Sequence, residues 1–210
     1  DGIIANTNSK INEIRANTDL KVSNRLNFSG DVNYRNVNSL QPQNITEIFR
    51  LMLQNSIFTV PKYSDGQYGA GPQGNNPLLL AEMGGTDKVS NDFINGNLKG
   101  TIELLKGLKF TTQIGALVTN GTGKEFTTSY QIRDRVNPTV IRKSRVLNTL
   151  TESRNRTTEV TINSLLNYST IIGSHDINVL GGYSEIENNG NSLSAFRQGF
   201  YNNDIQALSQ

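Results

Sequence analysis

The side chains able to do chemistry fall into a few short stretches. PKYSDGQY (61–68) holds Tyr63, Asp65 and Tyr68. An aromatic face can stack on a ligand, and carboxylates and amides give and take hydrogen bonds, so these residues suit a sugar or peptide ligand on an exposed loop. The bland alternative is that they pack on their own loop. YGAGPQGNN (68–76) is rich in glycine but matches neither the dinucleotide nor the P-loop spacing, and no strand-to-helix context surrounds it. It reads as a loop. Residues 133–156 hold Arg133, Arg135, Arg142, Lys143, Arg145, Arg154 and Arg156 against Asp134 and Glu152. Such a run can bind anions, such as the phosphates of a lipopolysaccharide or an acidic ligand, or it can be a set of solvated strand ends. No groove-reading motif accompanies it, and nucleic acid is not expected as a partner.

Enzymatic signals are poor. His175 is the only histidine, and there is no cysteine, so neither a multi-histidine nor a thiolate metal site is available. Ser174, His175 and Asp176 are adjacent, and strand alternation would turn consecutive side chains apart. His175 reads as part of a turn, Gly173-Ser174-His175. We expect no catalytic residue, no metal, no cofactor and no enzyme.

The elements that carry these stretches are read from alternation. In LKVSNRLNFSGDVNYR (20–35) the even positions are apolar or neutral apart from Asn24, and the odd positions are polar. That is a strand with one oily and one wet face, and as a single strand of 16 residues it would be long for a soluble domain. The alternation predicts three hairpins. The first pairs residues 3–16 with 20–36 across Asn17-Thr18-Asp19. The second pairs 97–105 with 108–120 across Lys106-Gly107, and the third pairs 158–171 with 176–187 across the turn that holds His175. One helix is expected at 45–54, where Ile45, Ile48, Phe49 and Met52 repeat at helical spacing and Asn44 with Glu47 resembles a capping box. Glycines 30, 100, 115, 181 and 182 fall inside strands, as bends or close approaches allow.

Long loops are expected near 37–94, 121–157 and 188–210. Short turns at one end and long loops at the other is the asymmetry of outer-membrane barrels. Mean hydropathy is −0.44 and no run approaches the ~18 apolar residues of a spanning helix; a barrel tolerates both, because only alternate residues meet lipid. A net charge of +2 points to no particular partner. The chain opens on DGIIANTNSK, without an initiator Met or a basic leader, which predicts a mature or excised piece.

NSKINEIRANTDLKV (8–22), GNNPLLLAEMGG (74–85), GTIELLKGLKF (100–110), LLNYSTIIGSHDINVLGGYS (165–184) and GFYNNDIQALSQ (199–210) resemble, in order, segments of SusC/RagA-type TonB-dependent transporters. The resemblance implies an all-β fold: antiparallel hairpins forming an arc of a large barrel of about 22 strands, with long extracellular loops. It implies a cell outer-membrane location and a role in nutrient import, of glycans or peptides. Its implied partners are the remaining barrel and plug strands, outer-membrane lipid, a SusD-like surface lipoprotein and, through the plug, the TonB complex. Residues 1–210 would be a partial barrel domain of about six strands without a plug. Leu26, Phe28, Ile102, Ile114, Ile162 and Val179 would then face lipid. The rival reading is a soluble all-β surface binding or adhesion module whose apolar face is an ordinary core.

Overall fold

The computed structural model describes residues 2–209. Six strands form one antiparallel sheet: β1 (Asn8–Lys21), β2 (Leu26–Pro42), β3 (Gly85–Leu105), β4 (Leu108–Thr127), β7 (Thr149–Ile172) and β8 (His175–Gln198). Their order is β1-β2-β3-β4-β7-β8, so each strand lies beside its neighbour in sequence and the two outermost have one free edge each. Between β4 and β7, the short strands β5 (Tyr130–Arg133) and β6 (Ile141–Arg145) form a separate ribbon. The long connection 43–84 carries helices α1 (Ile45–Gln54) and α2 (Pro77–Met83).

The first hairpin differs from expectation. The chain turns at 22–25, not at 17–19, and the stretch 20–35 is the end of one strand and the start of the next. Leu20 pairs with Phe28 and Lys21 with Asn27. Partners in this hairpin have the same parity, so even residues of both arms share a face. The period-2 pattern therefore passes through the turn without a break. Ser23 makes the turn: its Oγ accepts from the backbone N–H groups of Arg25 (3.2 Å) and Leu26 (3.1 Å).

The other two hairpins turn where expected. Gly173 sits at φ 63, a conformation open to glycine, at the first of two central turn positions. His175 is not in that loop; it opens β8, paired with Ile172. The strands also run well into the stretches read as loops. β2 reaches Pro42, β3 starts at Gly85, β4 reaches Thr127, β7 starts at Thr149 and β8 reaches Gln198. Near the loop ends both faces carry polar residues, so alternation fades there although the backbone ladder continues. Asp1 and Gln210, the outer limits of the predicted domain, lie outside the described residues.

Register places Leu26, Phe28, Ile102, Ile114, Ile162 and Val179 on one face. That face is bare: Phe28 is 39% exposed, Leu98 55%, Ile114 46% and Val179 57%. Among the described residues, buried apolar side chains gather in the loop region, where Phe126, Leu150 and Phe200 meet, at Ile132 on β5, and around α1 and α2 at Ile48, Leu51, Leu79 and Ala81. A compact monomer of 23.1 kDa has a surface of about 9,700 Å² by the usual scaling; this chain exposes 14191 Å². The covered core that the soluble alternative needs is missing among the described residues. Phe28 lies across Gly100, its register partner, where an added Cβ would come within 3.1 Å of the ring.

The opposite face of β1–β4 is polar toward the short turns, where its side chains serve one another, and is interrupted toward the loops by Ile11, Val37, Val89, Phe93 and Leu117. The Asn97 amide donates to Asp31 (3.4 Å), and Gln113 donates to Asn97 (3.0 Å). On β7 and β8 this face is mixed: Leu165, Leu180 and Ile186 interrupt it, contrary to a uniformly polar expectation.

Candidate functional site

At the loop end a cleft of about 560 Å³ lies between the 43–84 connection and the β5–β6 ribbon. Its walls include Tyr63, Gln67, Tyr68, Arg133, Arg135 and Arg142. Two segments singled out separately in the sequence, around Tyr63 and around Arg133, thus meet in space.

Asn76 and Pro77 follow directly on the cleft-lining stretch that ends at Gly74. Asn76 caps α2, its Oδ1 accepting from the Leu79 N–H at 3.0 Å, and Pro77 occupies the first helical turn, where no N–H is needed. The Asn76 amide also donates to the carbonyls of Pro61 (2.7 Å) and Gly69 (2.8 Å). One buried side chain therefore pins both ends of the segment that carries Tyr63, Asp65 and Tyr68. The glycine-rich stretch is packed, not a phosphate cradle. A Cβ on Gly74 would meet the Arg142 carbonyl oxygen at 2.5 Å, so this glycine lets the two loops touch.

α1 forms where the periodicity predicts it, but the capping box does not close. Asn44 is left-handed at φ 61 and makes no side-chain cap bond. Glu47 instead pairs with Arg50 one turn on.

The three sequence candidates have different surroundings. The Arg135 guanidinium lies 4.1 Å from the Tyr63 ring centroid and donates to Asp65 at 2.9 Å. Asp65 also accepts from the Gln67 N–H, and that bond, followed by Arg135, holds its carboxyl below the usual range. Tyr68 donates to Glu82 at 2.6 Å, while Lys62 bonds Glu82 at 2.7 Å and stacks on the Tyr68 ring. Tyr63 and Tyr68 are cleft walls; Asp65 is engaged by Arg135.

The basic run splits three ways. Arg133, Arg135 and Arg142 line the cleft. Arg145 ties the loops together by donating to the Gly84 carbonyl at 3.1 Å and stacks on Tyr130. Arg154 and Arg156 leave the loop altogether and stand on β7. In the cleft, Asp134 accepts from the N–H groups of Val136 and Asn137 (both 2.9 Å) and from Arg142 Nε (2.7 Å). The Asn137 N–H, then Arg142, lowers its pKa. A group so lowered contributes stability that is full above the ordinary aspartate pKa and lost as pH falls through the folded value. We expect a ¹³C titration of the Asp134 carboxyl in the detergent-solubilised protein to show a midpoint below the ordinary aspartate range. A midpoint at or above that range would contradict the arrangement.

His175 and Asp176 sit on opposite faces of β8 as neighbours in a strand, and Ser174 lies in the turn, so the three do not converge.

Long two-faced strands, short turns at one end, long loops at the other and a bare apolar face define a segment of β-barrel wall. The particular likeness is to three solved structures. They are the RagAB peptide importer in its closed-closed state (19% identity, TM-score 0.68), the RagAB peptide transporter (18%, 0.68) and the RagAB peptide importer in its open-open state (18%, 0.71). Each match covers 97% of this chain and 23% of the other, so the chain spans less than a quarter of the length of the chains it matches. The likeness is one of fold, and it is the fold implied by the resemblance to SusC/RagA-type transporters. No family model and no curated protein matches the sequence.

Proposed function

We propose that this chain is wall and loops of a TonB-dependent nutrient importer in the outer membrane, with peptides as the cargo class. The observation that carries the reading is the apolar band and its upper limit. On β2, β3 and β4 the band ends at Tyr34, Ile94 and Val118, which are register neighbours. On β7 it ends at Val160, and on β8 at Tyr183, whose partner is Ser164. The limit therefore follows the register across β2–β4 and slants from β4 to β8. A level membrane surface cuts tilted barrel strands in this oblique way, since such strands lean by roughly 35–45°. Along β4 the band runs from Leu108 to Val118, a length that fits the ~9–11 residues needed to cross hydrocarbon.

In this reading the free edges of β1 and β8 pair with further strands of the same barrel, and a plug links the barrel to the TonB complex. A SusD-like lipoprotein lies over the loops. The cleft, with Tyr63, Tyr68 and three arginines, receives peptide: the arginines pair with carboxylates and the rings stack on side chains. The named solved structures, described as peptide importers, favour peptide over glycan.

The chain has no cysteine, so single cysteines report cleanly. In the intact transporter, Cys at Leu98 or Ile162 is expected to resist a water-soluble maleimide. A fluorophore attached there should be quenched by brominated lipid. Cys at Asn97 or Asn163 should show the reverse. Co-purification of a surface lipoprotein tests the partner. Rapid aqueous labelling at all four positions would sink the membrane reading.

A further inference from the structure

Beyond the band, the apolar face turns basic. Lys10, Asn38, Ser90, Thr122 and Arg154 lie along one register row; Asn8, Leu40, Lys88, Lys124 and Glu152 lie along the next. Together they line a hollow of about 670 Å³ on that face. One row nearer the band on the same face stand Arg156 and Asp92, the latter accepting hydrogen bonds from Tyr34 and Asn36. Four cations, Lys10, Lys88, Lys124 and Arg154, surround the hollow against one carboxylate, Glu152.

Lys88 and Lys124 are direct cross-strand partners. Like charges placed so are destabilising. Lys124 is partly answered by Glu152 at 3.3 Å and donates to the Gln206 carbonyl at 2.6 Å. Among the described residues, Lys10, Lys88 and Arg154 make no ion pair or side-chain hydrogen bond. At the same height the other face has the opposite sign: Asp87 pairs across strands with Glu125. The basic side is therefore a property of one face, not of the strand ends in general.

We propose that this patch binds the phosphorylated saccharide headgroup of an anionic glycolipid in the outer leaflet. The inference rests on the membrane reading above. The acyl chains would lie on the apolar band, which one polar row, Asn12, Asn36, Asp92, Asn120 and Arg156, separates from the patch. Depth chooses the headgroup. Lys88, Lys124 and Arg154 lie six residues past Ile94, Val118 and Val160, and Lys10 lies four past Ile14. At ~3.3 Å per residue that is about 13–20 Å along the strand, or roughly 10–15 Å of height on a tilted strand. An ordinary phospholipid headgroup layer adds only about 5–8 Å to each side of the hydrocarbon. The cations thus stand where a bulky sugar carries its phosphates, beyond the reach of a simple headgroup.

The test uses the intact transporter in neutral detergent, with phosphorylated rough lipopolysaccharide as probe. Insertion of the wild type into vesicles is checked first; failure there sinks the membrane reading itself. With insertion normal, the triple variant Lys88→Gln/Lys124→Gln/Arg154→Gln is expected to bind the glycolipid at least about tenfold more weakly. Arg35→Gln/Lys99→Gln, on the polar face, is expected to bind like wild type. Dephosphorylated glycolipid should bind wild type as weakly as phosphorylated glycolipid binds the triple variant. Equal binding by triple variant and wild type overturns the proposal alone, and so does full displacement by inorganic phosphate, which would mark a free-anion site. Should the triple variant fail to fold, Lys88→Gln decides. It should raise the melting temperature without glycolipid and reduce the further rise that glycolipid gives. An undiminished rise overturns the proposal.

Discussion

Ile114→Arg in the intact transporter is expected to cut the amount of folded, membrane-inserted protein severely, while Gln113→Arg leaves most of it in place. The two residues are neighbours on β4 and point to opposite faces. Ile114 lies midway along the apolar band, flanked in register by Leu98 and Ile162. A lipid-facing arginine at the midplane costs about 2–4 kcal/mol and much less near the interfaces. At 1.4 kcal/mol per factor of ten, that is a shift of roughly 30- to several-hundred-fold in the folding equilibrium. Gln113 instead sits among polar neighbours and donates to Asn97. Its replacement loses one hydrogen bond, about 0.5–1.5 kcal/mol, and keeps a charge in a polar setting. Phe28→Arg, closer to the turn end of the band, should lie between the two. Heat-modifiable migration on gels measures the folded fraction. Equal loss, or equal tolerance, at positions 113 and 114 would refute the assignment of faces.

Asn76→Ala is expected to loosen the loop cleft while sparing the sheet. The Asn76 side chain is 3% exposed and makes three hydrogen bonds to backbone groups. Losing an N-cap costs about 1 kcal/mol. Each of the two carbonyls left without its donor adds about 1–3 kcal/mol to the extent that it stays dry. The local penalty is therefore on the order of 3 kcal/mol or more. The acceptor of α2's cap and the donors to Pro61 and Gly69 sit on one amide, so a carboxylate cannot replace it. Asn76→Asp should keep the cap yet place a charge against two carbonyl oxygens, with similar loosening. Hydrogen exchange is expected to rise across 61–83, with peptide affinity falling as the Tyr63 and Tyr68 wall gives way. Exchange in β2 and β3 should not change, because their ladder is paired from Leu26 to Pro42 independently of this loop. Unchanged exchange in 61–83 would show that Asn76 does not hold the cleft together.

The relation of sequence to fold is clearest at the places where they part. The faces of the six long strands were legible near their short turns, where the composition alternates, whereas β5 and β6, inside the stretch read as a loop, were not. The helix at 45–54 was legible from its own periodicity. The first turn was not. Same-parity pairing in that hairpin carries the alternation straight through Ser23 and Asn24, and Asn24 was the one polar residue on the oily side to hint at it. Strand ends were not legible either, since the ladder is made by backbone groups that leave no mark on side chains once both faces are polar.

By itself, then, the sequence of this protein determined two faces, two of three hairpins, one helix and the residues of the bare apolar band, all of them properties of neighbours along the chain. The tertiary structure decided how far the strands run and that the Tyr63 and Arg133 segments share one cleft. It also decided that Arg154 belongs with Lys10, Lys88 and Lys124 rather than with the other arginines of its run. Register and loop packing join residues tens of positions apart, and no local pattern records a partner that distant.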